Sequence, residues 1–178
     1  MRLPLIIVSA ALVLAVVTGG AILAVPRVLA LVYPVPEQPF TFPHNIHAGV
    51  AQLDCQFCHR NVAEGEAATV PAVEQCMFCH SVIQPSGAAP VIEAAAKGEP
   101  ITWVRVHRLP DHVHFWHEPH IRVLSERMNV ASSEVCSTCH GEVKTMRQVE
   151  QVRTLKMGDC VDCHRANNAP TDCAVCHF

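Results

Sequence analysis

Five copies of the pattern Cys-x-x-Cys-His use all 10 cysteines of this 178-residue chain. Numbered in chain order, the five motifs begin at Cys55, Cys76, Cys136, Cys160 and Cys173. Their second cysteines are Cys58, Cys79, Cys139, Cys163 and Cys176, and their histidines are His59, His80, His140, His164 and His177. The pattern is the attachment signature of a c-type haem, in which two thiols bond to the haem vinyl groups and the adjacent histidine becomes the proximal iron ligand. The sequence therefore predicts five covalently bound haem c groups.

Three other uses of paired cysteines explain the pattern less well. A structural zinc site needs cysteine pairs but makes no demand on the residue that follows them. Because histidine makes up only 12 of 178 residues, its presence after every one of five pairs is not expected by chance. A disulfide framework makes no such demand either, and a thioredoxin-like redox motif would occur once beside a βαβ pattern. Haem attachment is the interpretation that accounts for the histidines.

Five haems on a chain of this length leave little room for an ordinary core. Aromatic residues make up only 5% of the sequence, and 13 prolines interrupt it. We therefore expect a mostly irregular fold in which short α-helices and loops surround a haem core. The net charge of −3 and the lack of a basic stretch argue against a nucleic-acid partner.

The N-terminus predicts a membrane helix. The run from Leu5 to Val25 contains 21 residues and no charge, and as a helix it would be about 32 Å long, enough to cross the apolar core of a bilayer. A cleaved signal peptide is the alternative, with Val28-Leu29-Ala30 as a possible cleavage site, but the run is longer than the usual apolar region of such peptides. We expect residues 1–33 to be a retained anchor in the cytoplasmic membrane. Since haem c is attached outside that membrane, the rest of the chain should be periplasmic.

A repeat divides the part after the anchor. The pattern Phe-x-His-x-x-His occurs at 42–47, before the first motif, and again at 115–120, before the third. Residues 81–100 lie between the copies and are rich in alanine, proline and glycine, which indicates a linker with one short helix around 91–97. We predict a dihaem module with its linker at 34–98 and a trihaem module at 99–178.

Each haem iron also needs a sixth ligand or keeps an open position. Seven histidines lie outside the motifs: His44, His47, His107, His112, His114, His117 and His120. Since seven exceed the five that are needed, every iron can be closed, which favours electron transfer over catalysis at an open haem. We expect both His-x-x-His pairs to supply ligands to two haems each and His107 to supply the fifth, with His112 and His114 left open. Methionine is the competing ligand, and the candidates near the third and fourth motifs are Met128, Met146 and Met157.

Two stretches of the chain suggest a family. The repeated Phe-x-His-x-x-His pattern followed by Cys-x-x-Cys-His resembles the class III multihaem cytochromes c. More closely, PITWVRVHRLPDHVHFWHEPHI at 100–121 and LKMGDCVDCHR at 155–165 are similar to the pentahaem cytochrome c subunit of Alternative Complex III, a bacterial quinol:electron-acceptor oxidoreductase. The plan of one N-terminal membrane helix and five motifs matches as well. His114 departs from the pattern, because an aromatic residue is expected there.

The resemblance implies a function without bond-making chemistry. His107, His117 and His120 match the segment that bears ligands in the family, and His44 and His47 match the first class III pair. The implied role is to relay electrons from a respiratory or photosynthetic complex that oxidises quinol to a periplasmic acceptor. The implied partners are iron–sulfur and integral membrane subunits and, as acceptor, a soluble cytochrome or copper protein. Two alternatives stay open: a self-contained quinol dehydrogenase with a small membrane anchor, and a reductase of small oxyanions at an open haem.

Overall fold

The computed structural model describes residues 3–32 and 35–178. These residues form two compact units, one ending at Pro36 and one from Glu37 to Phe178. Within the described ranges the regular structure is helical, with no β-strand. The expectation of short helices joined by irregular segments is thus confirmed, while the haem core stays a prediction. The predicted boundary between 1–33 and 34–98 falls on residues 33 and 34, which lie outside the described residues.

The first unit is a single long helix, α1, from Leu3 to Val32. Its segment Ile7–Val25 has 19 residues and a mean hydropathy of 2.4, and none of it is buried inside the protein. At about 1.5 Å per residue this segment is long and apolar enough to cross a membrane. The Thr18 hydroxyl donates to the Leu14 carbonyl at 2.7 Å, which satisfies a polar group that lipid could not.

The second unit consists of short helices and turns. Its α-helices are Cys55–Cys58 (α2), Val73–His80 (α3), Ala89–Lys97 (α4), His117–Met128 (α5), Cys136–His140 (α6) and Met157–Ala166 (α7). Single 3₁₀ turns occupy Ser86–Ala88, Ser132–Glu134, Val143–Thr145 and Cys173–Val175, and Asn45–Val50 forms a π-helical turn. Helix α4 is the short helix expected in the linker, and it ends at Gly98 in the left-handed conformation that favours glycine at helix C-termini.

The side-chain core of this unit is small. Its buried hydrophobic residues, of those described, are Val62, Val73, Ala88, Val91, Ile121 and Val135. Among the described residues no large apolar side chain is fully buried, and Phe78 and Trp116 are 65% and 48% exposed. A unit of this length normally buries more apolar surface through its own side chains. The short helices are therefore held more by backbone hydrogen bonds and local contacts than by a layered core.

Contacts distant in sequence join the beginning of this unit to its later parts. The backbone N–H of Asn45 donates to the Met146 carbonyl at 2.9 Å. The side-chain amide of Gln38 bonds both the N–H and the carbonyl of Val104, at 3.0 and 2.8 Å, and the ring centres of Phe40 and Trp103 are 4.9 Å apart. Both predicted haem modules lie within this one unit, and their division at residues 98 and 99 stays a prediction.

Candidate functional site

All five Cys-x-x-Cys-His motifs lie on short helical turns. The first four overlap α2, α3, α6 and α7, and the fifth begins the 3₁₀ turn Cys173–Val175. Residues three and four apart on such a turn share one face, so the two thiols and the histidine of each motif are presented together. All 10 cysteines are free thiols, and each is at least partly exposed. This is the presentation that thioether attachment to a flat group requires.

Side-chain caps fix the start of two of these turns. The Asp54 carboxylate accepts a hydrogen bond from the Gln56 N–H at 2.8 Å, one turn before the first motif is complete. The Asp159 carboxylate accepts from the Lys156 N–H and from the Thr154 hydroxyl, both at 2.9 Å, beside the fourth motif. A side-chain oxygen at a helix N-terminus satisfies a donor that has no partner in the helix. The caps therefore stabilise turns that are otherwise too short to persist alone.

Four of the five motif histidines have the same hydrogen-bond arrangement, in which Nδ1 faces a backbone carbonyl. The pairs are His59 with Thr69 at 2.6 Å, His80 with Ile83 at 2.7 Å, His164 with Pro170 at 2.5 Å and His177 with His112 at 2.9 Å. A carbonyl can only accept, so Nδ1 carries a proton, and Nε2 is the nitrogen that holds the lone pair when the imidazole is neutral. This arrangement prepares Nε2 to bind a metal and fixes the ring orientation.

The remaining motif histidine, His140 of the third motif, has a different partner. Its Nδ1 lies 3.3 Å from Nε2 of His107. The two rings are nearly perpendicular, at 87°, and their centres are 4.4 Å apart. Burial, followed by the nearby His107, His117 and His59, lowers the pKa of His140 to about 4. At neutral pH His140 is therefore a neutral imidazole.

Three of the four histidines in the two Phe-x-His-x-x-His copies have the same hydrogen-bond arrangement, whereas Nδ1 of His44 is buried without a hydrogen-bond partner. Nδ1 faces a backbone carbonyl in His47 (Pro43, 3.0 Å), His117 (Glu66, 2.5 Å) and His120 (Trp116, 2.7 Å). Burial lowers the pKa of His120, and burial followed by His59 and His47 lowers that of His44 to about 4. Neutral imidazole is the form that binds a metal, so the lowered pKa values of His44 and His120 match the predicted ligand role.

The two copies also have the same local structure. Phe42 meets His44 edge-on, with ring centres 4.8 Å apart at 82°, and stacks on His47 at 4.3 Å and 20°. Phe115 meets His117 edge-on at 4.9 Å and 89°, and its ring centre lies 4.3 Å from that of His120 at 32°. The phenylalanine of each copy thus holds the two imidazoles in a fixed relation, a role that the sequence pattern alone did not reveal.

Four of the five motif histidines have a second imidazole beside them. Ring centres are separated by 6.1 Å for His47 and His80, 6.4 Å for His117 and His140, 5.9 Å for His120 and His164, and 5.6 Å for His112 and His177. His59 lies close enough to His44 to help suppress its protonation, as its effect on the pKa of His44 indicates. Metal–imidazole bonds are about 2 Å long and the ring centre lies about 1 Å beyond the nitrogen, so two imidazoles on opposite sides of one iron have centres about 6 Å apart. The observed separations fit this requirement.

The motifs adjoin one another in a definite sequence. The Gln75 side chain beside the second motif donates to the carbonyl of Phe57 in the first, and after burial the Cys76 thiol raises the pKa of Cys58. On the other side of the first motif, the Cys55 thiol lies 3.8 Å from the Ser133 carbonyl, just before the third motif. A hydrogen bond between Cys55 and Cys136 lowers the pKa of Cys55 to about 7 and raises that of Cys136. The first motif therefore lies between the second and the third.

The remaining motifs extend this row in one direction. Burial raises the pKa of Cys139, and nearby Cys163 of the fourth motif adds to that increase. Burial also raises the pKa of Cys160, with Cys176 of the fifth motif as the next cause. These effects on the cysteine pKa values indicate the order second, first, third, fourth, fifth from end to end. Sequence order alone would have suggested a different arrangement.

The predicted ligands differ in where they lie. His47, His117 and His120 lie beside motif histidines, and His44 is linked to His59 through the effect of His59 on its pKa. His107 lies on the Nδ1 side of His140. His112, which the sequence left open, lies beside His177. His114 stacks on Phe178 at 4.3 Å, and its backbone N–H donates to the Cys176 carbonyl at 2.8 Å. The two segments joined there are more than 60 residues apart, so no local pattern could have indicated the contact.

The candidate methionines do not share the orientation of the histidines. Met128 and Met157 are 50% and 72% exposed. The methyl end of Met146 lies near Gly141, at the end of the third motif. Ligation by methionine stays a prediction without a geometric observation that favours it.

The donor set fits haem better than a bare metal ion. No group of three or more His, Cys, Asp or Glu side chains in the described part of the chain is arranged to hold a metal ion alone. A haem iron takes four nitrogens from the porphyrin and needs only two ligands from the protein, which is what the histidine pairs offer. Exposed apolar side chains such as Phe78, Val82 and Ile83 beside the second motif are suited to contact a porphyrin face. No protein-family model and no curated protein matches the chain, so the case depends on motif chemistry and pair geometry.

Proposed function

We propose that the protein is a membrane-anchored pentahaem cytochrome c that relays electrons from a quinol-oxidising complex to a periplasmic acceptor. The observation that carries the proposal is that four of the five motif histidines have a second imidazole at a separation suited to one iron, with ring centres 5.6–6.4 Å apart. Haem supplies the one-electron iron couple when it is bound. The chain would bind it through paired thiols and orient it through imidazoles, most of which have Nδ1 hydrogen-bonded to a backbone carbonyl.

Five histidine pairs are the ligand set that we propose. They are His44 with His59, His47 with His80, His117 with His140, His120 with His164 and His112 with His177. Four of the five second ligands come from the Phe-x-His-x-x-His copies, as expected from the sequence. His112 takes the place expected for His107, because His112 is beside His177 and His107 is beside Nδ1 of a ring that already has His117 at 6.4 Å.

Electron transfer is favoured over catalysis because no position is left for a substrate in this ligand set. Where backbone carbonyls hold both imidazoles of a pair, as in His47 with His80 and His120 with His164, little rearrangement of the chain would accompany each transfer. An open-haem reductase would instead need one motif histidine without a second imidazole. Electron transfer along the row of motifs would have two end points, the second motif and the fifth.

The membrane helix and the partners complete the proposal. Helix α1 is long and apolar enough to be the anchor of a periplasmic haem unit. By resemblance to the pentahaem subunit of Alternative Complex III, the donors would be iron–sulfur and integral membrane subunits. A soluble cytochrome or copper protein would receive the electrons.

The full chain, produced in a bacterium that attaches haem c and purified in detergent, tests the proposal. Its intact mass should correspond to five haems, and the reduced protein should be wholly low-spin and should not bind carbon monoxide. Fewer than five haems, or zinc in their place, would contradict it. A carbon monoxide adduct of the unmodified protein would favour the oxyanion reductase, and oxidation of quinol by the chain alone would favour the self-contained dehydrogenase.

The order of the row has its own test. The double variant Cys76→Ser with Cys79→Ser removes an end of the row, whereas Cys55→Ser with Cys58→Ser removes an interior member. Electron paramagnetic resonance of the oxidised variants should show one altered neighbour in the first case and two in the second. Two altered neighbours after loss of the second motif would refute the order while leaving the five-haem proposal intact.

A further inference from the structure

Two histidines lie against His140. His107 comes from the segment before α5 and His117 from the start of α5, and their rings approach that of His140 differently. The ring of His117 is nearly parallel to that of His140, at 12°, with centres 6.4 Å apart. The ring of His107 is perpendicular at 87°, with centres only 4.4 Å apart. The same motif histidine therefore has one neighbour at the separation of an axial pair and one much closer.

The position of His107 does not suit an axial ligand of the same iron. Two imidazoles on one iron need ring centres about 6 Å apart, which 4.4 Å does not allow. Its Nε2 also faces Nδ1 of His140, at 3.3 Å, and Nδ1 is the nitrogen directed away from the metal when Nε2 binds. His107 is thus placed where a hydrogen-bond partner of the ligand would be.

The other motif histidines show which kind of group occupies the position next to Nδ1. His59, His80, His164 and His177 each donate from Nδ1 to a backbone carbonyl. In His140 the corresponding position is taken by the Nε2 of His107.

We infer that His107 is a positioning residue, which accepts the hydrogen bond from Nδ1 of His140 and so fixes the proximal ligand of the third haem. The inference deepens the proposed function and rests on it, because it takes the third motif to carry haem. An acceptor on Nδ1–H makes the bound ring more basic and stabilises the oxidised iron. The contact should therefore lower the reduction potential of one haem among the five.

Leucine variants of His117 and His107 distinguish the role of an iron ligand from that of a positioning residue. His117→Leu should open one iron, giving a high-spin signal and one carbon monoxide site in the reduced full-length protein. His107→Leu should keep all five haems low-spin and closed to carbon monoxide, while a redox titration shows one midpoint potential raised. His107→Gln, whose side-chain oxygen can accept the same hydrogen bond, should restore that potential at least in part.

Three outcomes overturn the inference. Binding of carbon monoxide by His107→Leu would make His107 an axial ligand. Unchanged potentials in His107→Leu would remove the positioning role. If His107→Leu does not accumulate, His107→Gln carries the test, and an opened haem in that variant would likewise count against the inference. None of these results bears on the haem count of the unmodified protein. A count other than five in that protein would instead refute the proposed function.

Discussion

Replacement of Gly49 by alanine should destabilise the unit Glu37–Phe178, although alanine usually stabilises a helical turn. Gly49 lies in the turn Asn45–Val50, two residues after His47. A Cβ atom there would lie 2.5 Å from the backbone oxygen of Lys144 and 3.7 Å from its carbonyl carbon. That oxygen belongs to the 3₁₀ turn Val143–Thr145 and cannot rotate away as a flexible side chain could.

The magnitude follows from two opposing terms. Alanine in place of glycine at a compatible position stabilises by about 0.4–1 kcal/mol, because it restricts the unfolded chain. Overpacking that forces the backbone to shift costs about 1–3 kcal/mol. The expected net loss is roughly 1–2 kcal/mol, which for a unit of this size lowers the thermal midpoint by about 2–8 °C.

Circular dichroism of the full chain in detergent measures the effect, with Gly87→Ala as the control. Gly87 lies in the 3₁₀ turn Ser86–Ala88, and a Cβ atom added to it would meet open space within 4 Å, so Gly87→Ala should be neutral or slightly stabilising. Since His47 is close by, the Gly49 variant should also change the resonance signal of the second haem. A Gly49 variant as stable as the control would refute the close contact with Lys144 and the packing of these two turns.

Three further predictions test separate parts of the assignment. His112→Leu should create one carbon monoxide site in the reduced protein, whereas the matched variant His114→Leu should not; the opposite result would exchange their roles. Phe115→Ala should weaken the orientation of two ligands at once and change two of the five haem resonance signals, and a change in none or in all five would contradict its local role. A chain lacking residues 1–33, secreted through a replaceable signal peptide, should be soluble without detergent and keep five haems by mass; loss of haems would show that α1 is needed for more than anchoring.

The sequence predicted the features that depend on neighbours along the chain. The five motifs lie on helical turns because cysteine and histidine three and four apart need such a turn to share a face. The short helix expected around 91–97 is present as Ala89–Lys97, where alanines favour helix and Gly98 ends it. The apolar run Leu5–Val25 lies within the helix Leu3–Val32.

The features that depend on distant contacts could not be predicted in the same way. His107 and His140 are 33 residues apart, and their contact depends on how the segment before α5 lies against α6. For this reason, a count of the histidines outside the motifs could not indicate which of His107 and His112 lies beside Nδ1 of a motif histidine and which is the proposed fifth ligand. The place of the second motif at an end of the row is likewise set by tertiary contacts, namely those of Gln75 and Cys76 with the first motif.

The motif itself favours a row over a cluster. The two cysteines of a motif are three residues apart, so on a helical turn they lie one above the other along the helix axis. A neighbouring motif that approaches from one end contacts one cysteine, and a second neighbour at the other end contacts the other cysteine. In the first motif Cys58 adjoins the second motif and Cys55 adjoins the third, as their effects on the cysteine pKa values indicate; Cys136 and then Cys139 continue the row. The fourth motif departs from this division, because Cys176 of the fifth motif and Cys139 of the third both raise the pKa of Cys160; if the haems follow the row, electrons entering at one end would have one path to the other.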